Sequence, residues 1–518
     1  DTVLVREASF NVDDVRVTQG SAILDIDVDN DGLFDLTLRL EGDFVGATFD
    51  VVPGVEGTAI TLGTPAFLIE GDESSESLVG GSGDDTILGA GGNDTLSGGA
   101  GNDWIDGGPG DDLIHGATGD DILNGGAGAD VMVGSDGGDL YYLDHPGDVV
   151  VERLEHTGVD RAFGTVSMNL RAAAVERMKL NGSADAVIVA NDLDNLVIGN
   201  AGGNTLHGVG GNDTLRGEAG DDTLYGNAGD DVLGGGPGAD IMNGGPGSDS
   251  YNVDDEGDRV AESYRWAGHD SVTASVDFRM GRQHIEDLTL TGTATLGAGN
   301  GLTNVIRGNG GANILDGGKG VDRLIEGSGN DTYLVRTPGD TVIEAPGEGL
   351  DIIKAFRSYA LPAHVEHLYL QTVRTTAGTP VSINGIGNDL ANTIVGTPYD
   401  NVIAGRGGRD ILRGQGGADT FIFDRAPGPD NVDRVLDFTP GEDALWIKAQ
   451  LFGLAPGGVS RAMFHEGRSA ADAGDRLLYD AATGGVWVDP DGSGPKPAQL
   501  TFVLNAGVDL GPGDVLFF

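Results

Sequence analysis

The sequence contains no cysteine, and that absence removes several classes of site at once. Disulfide bonds, thiolate metal centres and cysteine nucleophiles are all excluded. Aromatic residues make up only 6% of the chain, so the bulky side chains that fill a wide core are scarce. Glycine is abundant instead, with 91 residues. This balance favours a thin, elongated body with small apolar side chains inside.

Positive charge is also scarce. The chain has 30 Lys and Arg residues against 82 Asp and Glu residues, which gives a formal net charge of −52. Such a charge argues against polyanionic nucleic acid and against an acidic membrane surface as partners. A compact state with this charge would repel itself unless cations neutralised it. Hard divalent cations that prefer oxygen ligands are the natural candidates.

Long apolar runs are missing as well, since none approaches the roughly 18 residues of a membrane span. The chain begins at Asp1 without methionine and without a stretch that resembles a signal peptide. Two expectations follow. Either a preceding segment has been removed, or export uses a signal elsewhere in the chain.

Glycine and aspartate recur in this chain at a fixed interval of nine residues, in the pattern G-x-x-G-x-D-x-U-x with U apolar. The sixth positions of the first run are Asp85, Asp94, Asp103, Asp112, Asp121, Asp130 and Asp139. Those of the second run are Asn204, Asp213, Asp222, Asp231, Asp240 and Asp249. Two shorter runs have Asn304, Asn313, Asp322 and Asp331, then Asn392, Asn401, Asp410 and Asp419. Runs that open on asparagine predict capping turns that use hydrogen bonds in place of metal binding.

Each nonapeptide predicts one turn and one very short strand. Glycine permits positive φ and close backbone packing in the turn, and the x-U-x segment points one apolar side chain inward. Two nonapeptides then make one coil, so that alternate aspartates share an edge. This arrangement predicts Asp85, Asp103, Asp121 and Asp139 on one edge and Asp94, Asp112 and Asp130 on the other.

Carboxylates stacked at the spacing of neighbouring strands, about 4.8 Å, repel each other strongly unless a cation lies between them. Calcium takes six to eight oxygen ligands in flexible geometry, whereas magnesium demands a rigid octahedron. Aspartates and turn carbonyls from successive coils can supply such a set. The four runs therefore predict multiple Ca²⁺ ions, up to about 13 if every same-edge pair binds one.

Between the runs lies a longer repeat that begins "YYLDHPGDVVVE" at Tyr141, "YNVDDEGDRVAE" at Tyr251 and "YLVRTPGDTVIE" at Tyr333. Each copy leads to an alternating ladder that predicts a strand: residues 175–180, 285–290 and 365–370. The expected organisation is an N-terminal β segment 1–70, repeat runs 71–143, 190–253, 299–335 and 387–423, spacers 144–189, 254–298 and 336–386, and a C-terminal β domain 424–518.

The N-terminal segment holds a second acidic pattern, "DVDNDGLFD", which resembles the start of an EF-hand loop. Its twelfth position is Leu38 rather than glutamate, and strands are predicted on both sides. The pattern predicts a hairpin turn pinned by calcium, with an ordinary Asn-Asp-Gly turn as the alternative. The candidate ligands are Asp27, Asp29, Asp31 and Asp35.

The nonapeptide pattern resembles the calcium-binding repeat of RTX, or haemolysin-type, proteins. That resemblance implies an all-β fold, a right-handed parallel β-roll solenoid with calcium in its turns. The segments 433–447 and 475–494 resemble the C-terminal domain of serralysins, and the final "GDVLFF" resembles the uncleaved signal of type I secretion substrates. The resemblance implies export from a Gram-negative bacterium, with folding outside the cell. No HExxH motif is present, so the protease activity of serralysins is not carried over.

The expected function is a non-catalytic, extracellular calcium-binding structural protein: an adhesin, or a component of a surface layer, filament or matrix. Its expected partners are calcium, further copies of itself or a cell-surface polysaccharide. The alternative is the accessory region of a secreted enzyme, because similar repeats follow the catalytic domains of polysaccharide epimerases, lipases and proteases. The absence of methionine at Asp1 leaves room for such a domain.

Overall fold

The computed structural model describes the backbones of six strands within residues 1–65, and then residues 66–518 except 264–267 and 326. It divides the chain into two compact units, Asp1–Gly247 with Gly257–Arg259, and Ser248–Glu256 with Val260–Phe518. The described residues form strands, turns and two short 3-10 helices, Ala449–Phe452 and Pro512–Asp514. The predicted all-β class with parallel β-solenoids is confirmed.

The first unit begins with two antiparallel three-stranded sheets. One contains Thr2–Val5, Gly57–Leu62 and Phe49–Gly54 in that order, and the other contains Asn11–Thr18, Ser21–Asp27 and Leu36–Glu41. The strands predicted for this segment are therefore present. Ser21–Asp27 and Leu36–Glu41 pair as a hairpin, with Ile26 opposite Leu36.

The rest of the first unit is a parallel solenoid with strands on two faces. The first face contains Leu68–Glu70, Thr86–Leu88, Trp104–Asp106, Ile122–Asn124, Leu140–Leu143, Arg161–Gly164, Arg177–Leu180, Leu196–Ile198, Thr214–Arg216 and Val232–Gly234. Opposite it lie Ser77–Ser82, Thr95–Ala100, Leu113–Thr118, Val131–Asp136 and Val149–Val151, then a second sheet of Met168–Asn169, Val187–Val189, Thr205–Gly210, Thr223–Ala228 and Ile241–Asn243. The short strand Arg259–Val260 comes later in the chain.

The second unit repeats this design. Its first face contains Ser250–Val253, Ser271–Ala274, Asp287–Leu290, Val305–Arg307, Arg323–Ile325 and Thr341–Ile343. A second sheet contains Phe278–Arg279, Leu296–Ala298, Ile314–Asp316, Thr332–Val335, Ile352–Ala355, His367–Leu370, Thr393–Val395, Ile411–Arg413 and Asp433–Val435. A third contains Tyr359–Ala360, Gly385–Ile386, Val402–Ala404, Thr420–Phe423 and Ala444–Ile447. A small hairpin joins Val373–Arg374 to Pro380–Val381.

The strand register gives the length of one coil. Trp104 lies opposite Thr86 on one side and Ile122 on the other, in parallel pairing. Hydrogen bonds between equivalent residues of successive coils join positions 18 apart. One coil therefore contains two nonapeptides, as the repeat predicts.

The core contains one apolar side chain from each short strand. Ile87, Ile105 and Leu123 form one buried row, and Leu96 and Ile114 belong to the row facing it, all with 0% exposure. Fully burying a side chain of this size stabilises the fold by roughly 1.5–3 kcal/mol. The close approach of the coils needs glycine at their turns: at Gly110, with φ of 148°, a Cβ atom would lie 1.6 Å from the Gly92 oxygen.

The spacers contribute coils of the same kind. Arg161–Gly164 pairs in parallel with Leu140–Leu143 and with Arg177–Leu180, which in turn pairs with Leu196–Ile198. The strands predicted at the ladders 175–180, 285–290 and 365–370 are present as Arg177–Leu180, Asp287–Leu290 and His367–Leu370. A spacer is therefore a longer coil, in which a loop extends the turn between two strands.

The C-terminal region closes the second unit with a more ordinary core. Gln499–Val503 pairs in parallel with Asp433–Val435 and antiparallel with Gly485–Val488, and Leu477–Asp480 and Phe464–Glu466 complete that sheet. Val515–Phe517 pairs with Ala444–Ile447 and with Gly457–Gly458. Phe517 is only 1% exposed, so the strand Val515–Phe517 contributes to the core.

Candidate metal centres in the solenoid turns

The sixth residue of each nonapeptide lies at the point where a turn enters a strand. Asp103 directly precedes Trp104–Asp106, and its side chain points back under the turn. Its Oδ1 accepts the backbone N–H of Asp85 at 2.8 Å, and its own N–H donates to Oδ1 of Asp121 at 2.8 Å. Each carboxylate is thus fixed by the backbone of the neighbouring coil.

The same bond recurs along both edges of the first run, and it groups the aspartates as the spacing predicts. One edge contains Asp85, Asp103, Asp121 and Asp139, and the other contains Asp94, Asp112 and Asp130. In the later runs Asp213 is bonded to Asp231, and Asp222 to Asp240. All position-six aspartates proposed from the sequence are 2% exposed or less: Asp85, Asp94, Asp103, Asp112, Asp121, Asp130, Asp139, Asp213, Asp222, Asp231, Asp240, Asp249, Asp322, Asp331, Asp410 and Asp419.

The second carboxylate oxygen distinguishes these side chains from ordinary turn residues. Oδ2 is buried without a hydrogen-bond partner in Asp85, Asp94, Asp103, Asp112, Asp121, Asp130, Asp139, Asp213, Asp222, Asp322 and Asp410. A buried charged oxygen without a partner is costly, because nothing replaces the water that it has lost. Rows of such oxygens therefore fit a cation that the fold is built to hold.

Glycine at position one makes room for this oxygen. A Cβ atom on Gly98 would lie 2.0 Å from Oδ2 of Asp103, and one on Gly116 would lie 2.1 Å from Oδ2 of Asp121. The absence of a side chain therefore creates the cradle in which the carboxylate lies. The glycine and the aspartate of the motif therefore act together, because the first leaves the space that the carboxylate of the second occupies.

The electrostatics of the turns point in the same direction. Burial raises the pKa of Asp121 and Asp139 to about 7 and that of Asp213 to about 8. The backbone N–H bonds oppose this rise, whereas neighbouring carboxylates add to it. Without a counter-charge, burial and the neighbouring carboxylates therefore disfavour the ionised form of these groups in the folded chain.

A family model supports this assignment. The model described as RTX calcium-binding nonapeptide repeat (4 copies) matches residues 70–105, 106–141, 198–233, 216–251, 298–333 and 386–421. These segments are RTX calcium-binding repeats. RTX repeats are typical of secreted proteins, and their presence implies that the chain binds calcium. No curated protein matches the chain in a sequence comparison.

The asparagines that open the later RTX runs make the hydrogen bonds expected of a cap. Asn304 Nδ2 donates to the backbone oxygens of Ile285 at 2.9 Å and Glu286 at 3.2 Å. Asn313 makes a similar bond to Ala294, and Asn392 to Val365. At these turns the asparagine NH₂ group donates hydrogen bonds to backbone carbonyl oxygens of the preceding spacer. Those oxygens therefore have a partner within the protein and need no cation.

We expect Asn304→Asp to destabilise the calcium-loaded protein by about 2 kcal/mol, because two buried carbonyl oxygens lose a donor and face a carboxylate. The thermal unfolding of the variant should begin at a lower temperature, and more calcium should recover part of the loss. Asn330→Asp is the matched control, since Asn330 is exposed and its Oδ1 only accepts a hydrogen bond, from Leu350. Equal melting curves for the two variants would contradict the capping role.

The structure adds ladder residues that the sequence did not single out. Position five forms its own row: Asp84 Oδ1 accepts the N–H of Asn102, and Asn102 Oδ1 accepts that of Asp120, each at 2.8 Å. These bonds run in the opposite direction to the position-six bonds, so neighbouring coils are joined from both sides. The Asn or Asp that precedes many of the position-six aspartates was the available signal.

The position-six ladder also continues beyond the RTX runs. Its further acceptors are Asp148, Asp160, Asp258, Asp270, Asp340, Asp351, Asp433 and Asp443. The separation along the chain grows from 18 to between 20 and 24 where a loop lengthens the coil. A search for a strict nine-residue period therefore misses some of these residues, although they accept the same backbone hydrogen bond as the position-six aspartates.

The acidic turn of the N-terminal segment is not tested by the structure. Asp27 ends the strand Ser21–Asp27, and the next strand, Leu36–Glu41, pairs with it. The side chain of Asp27 and the residues Asp29, Asp31 and Asp35 lie outside the described part of the chain. The calcium-pinned hairpin turn stays a prediction.

Proposed function

We propose that this chain is an extracellular structural protein that folds when it binds calcium after type I secretion, and that it serves in a surface layer, filament, matrix or adhesin. The observation that supports this most directly is the ladder of buried aspartates within each run, because the same carboxylates that build the solenoid need a cation to remain ionised. Up to about 13 ions in the RTX runs would neutralise half of the net charge. Calcium is scarce in the cytosol and abundant outside it, which fits folding after export.

The outer surface of the coils supports a role in assembly. On the first face of the first unit, Trp104 is 45% exposed, Ile122 38% and Leu68 64%. They occupy equivalent outward positions along one face, in the order Leu68, Thr86, Trp104 and Ile122, so that only Thr86 interrupts the apolar row. A row of exposed apolar side chains on a rigid solenoid suits contact with a further copy or with the apolar faces of sugar rings. No helix among the described residues has the length and apolar character needed to cross a membrane.

Electron microscopy and sedimentation of the native protein in millimolar calcium test this proposal. We expect regular arrays or filaments, or else retention on cell-surface polysaccharide, and loss of both when magnesium replaces calcium.

Trp104→Thr should weaken the assembly without changing the fold, because threonine already occupies the equivalent position at Thr86. A calcium-loaded chain that stays monomeric and binds no cell surface or polysaccharide would overturn the proposal. The gene upstream of Asp1 distinguishes the alternative, an accessory region behind a catalytic domain.

A further inference from the structure

A cluster of three carboxylates lies where the first RTX run passes into its spacer. Asp139 is the last position-six aspartate of the run, and Glu152 and Asp160 belong to the spacer. Their exposures are 0%, 4% and 5%, and one candidate ligand atom from each lies within 4.8 Å of the other two. Two carboxylates of this cluster continue the ladder, since the Asp139 N–H donates to Asp160 Oδ1 at 2.8 Å. Glu152 is the addition.

A tyrosine holds the added glutamate in place. Tyr141 stands at the apolar position of the last nonapeptide, and its hydroxyl donates to Glu152 Oε2 at 2.5 Å. The side chain is fully buried, so this bond is formed inside the solenoid. Ser135 N–H also donates to Glu152 Oε2, at 3.2 Å. Glu152 is therefore directed inward, although its charge would favour solvent.

An unpartnered oxygen points into the same place. Oδ2 of Asp139 is buried without a hydrogen-bond partner, on a side chain with 0% exposure. A Cβ atom built on Gly134 would lie 2.0 Å from this oxygen and 2.1 Å from the Tyr141 hydroxyl. The free oxygen and the hydroxyl that holds Glu152 therefore converge beside Gly134. This observation is independent of the proximity of the acidic groups, and it indicates a missing positive partner.

The arrangement recurs at the ends of the second and third runs. The same three-carboxylate clusters are Asp249, Glu262 and Asp270, and Asp331, Glu344 and Asp351. Tyr251 donates to Glu262, and Tyr333 donates to Glu344. In all three places the tyrosine and its glutamate are 11 residues apart. A feature built three times from separate segments reflects a shared requirement.

The fourth run provides an internal contrast. Its last aspartate, Asp419, continues the ladder to Asp443 at 2.9 Å, but Phe421 stands in place of the tyrosine and Val432 in place of the glutamate. No third carboxylate joins this pair in the described part of the chain as a possible metal cluster. The tyrosine and the glutamate are thus present together or absent together, while the ladder itself needs neither.

Histidine is not the general counter-charge of these clusters. His156 Nδ1 contacts Glu152 Oε1 at 2.6 Å in the first spacer. In the third spacer the corresponding residue is Glu348, which adds negative charge instead. The common elements are three carboxylates, a tyrosine and a glycine.

We propose that each of these three junctions is a calcium site distinct from the ordinary RTX turn, with ligands Asp139, Glu152 and Asp160 in the first, Asp249, Glu262 and Asp270 in the second, and Asp331, Glu344 and Asp351 in the third. Three carboxylates carry more charge than the two of an ordinary turn, and hard oxygen ligands suit Ca²⁺. The three sites come in addition to those of the nonapeptide pairs. The proposal requires calcium binding by the chain but not its structural role.

Calcium stoichiometry of the full-length protein tests this proposal. The bound ions per chain are measured by equilibrium dialysis and atomic emission in saturating calcium. Glu152→Gln keeps an acceptor for Tyr141 but removes one charge, and we expect it to bind one ion fewer than the unsubstituted chain. Changing Glu152, Glu262 and Glu344 together should remove three. Glu155→Gln is the control, because its side chain is 70% exposed and lies outside the cluster.

Glu344→Gln is made in parallel, since Glu344 is less buried and its loss is easier to accommodate. Circular dichroism in calcium shows which variants fold, and only folded variants are counted. An unchanged number of ions in a folded Glu152→Gln or Glu344→Gln protein would overturn the proposal and leave these glutamates as structural clamps. Whether the unsubstituted chain assembles is measured separately, so failure of the structural role and failure of the junction sites are distinguishable.

Discussion

Removal of calcium is expected to abolish most of the β-sheet circular dichroism of this chain, and its return to restore it. The reason lies in the turns, where buried carboxylates stack on both edges, and in the first run each of them has an unpartnered oxygen. Without a cation, the repulsion between neighbouring coils is added to the cost of burying each charge. Because metal binding and folding share these residues, the binding energy is folding energy.

The calcium titration should show a steep transition at about 0.1–1 mM, the range of extracellular calcium modules. Magnesium at the same concentration is the control, and we expect it to restore much less structure because it demands octahedral geometry and gives up water reluctantly. The C-terminal region should retain the most residual structure, since Phe502 and Phe517 form part of an apolar core there. A spectrum that is unchanged in chelator would contradict this account of the fold.

Protonation at acidic pH is expected to stabilise the fold of the metal-free chain, and so to substitute in part for bound calcium. The pKa of Asp121 rises to about 7 and that of Asp213 to about 8 in the folded chain, against an ordinary value of 3.8. A carboxyl group with a raised pKa binds more protons when the chain is folded than when it is unfolded. The free energy of unfolding of the metal-free chain should therefore be highest near pH 4 and fall as the pH rises through about 7 or 8.

The measurement is circular dichroism of metal-stripped protein from pH 5 to pH 8, a range that stays above the isoelectric point of about 4.1. We expect β structure at pH 5 and its loss by pH 8. The same titration in excess calcium should stay folded at pH 8, because the ion then neutralises the carboxylates that protons neutralise at pH 5. Metal-free protein that is equally unfolded at both ends of the range would show that burial of charge does not limit its folding.

The strict period of the nonapeptides explains why the solenoid could be predicted in detail. Asp85 and Asp94 are nine residues apart, and each nonapeptide contributes one short strand. A coil of two repeats therefore places alternate aspartates on one edge. The bonds from Asp85 to Asp103 and from Asp94 to Asp112 follow from that geometry. Local pattern and global fold agree here at every repeat.

The spacers were predicted less completely, because their loops interrupt the nine-residue period on which the prediction depends. Asp160 occupies the next place in the ladder after Asp139, but it lies 21 residues away rather than 18. Glu152 is an ordinary acidic residue in the sequence, and only the fold shows that it turns inward to Tyr141. Its place beside the ladder depends on the path of a loop, which short-range periodicity does not determine.

The coil of two nonapeptides has a consequence for the way such a chain can change in length. Because successive short strands alternate between opposite faces, inserting two nonapeptides would shift everything that follows by one whole step along the stack. Inserting a single one would instead send every later strand to the opposite face. The parity of the repeat number in a run therefore decides the side from which the next spacer loop emerges, so gains and losses of repeats that preserve the surface should come in even numbers.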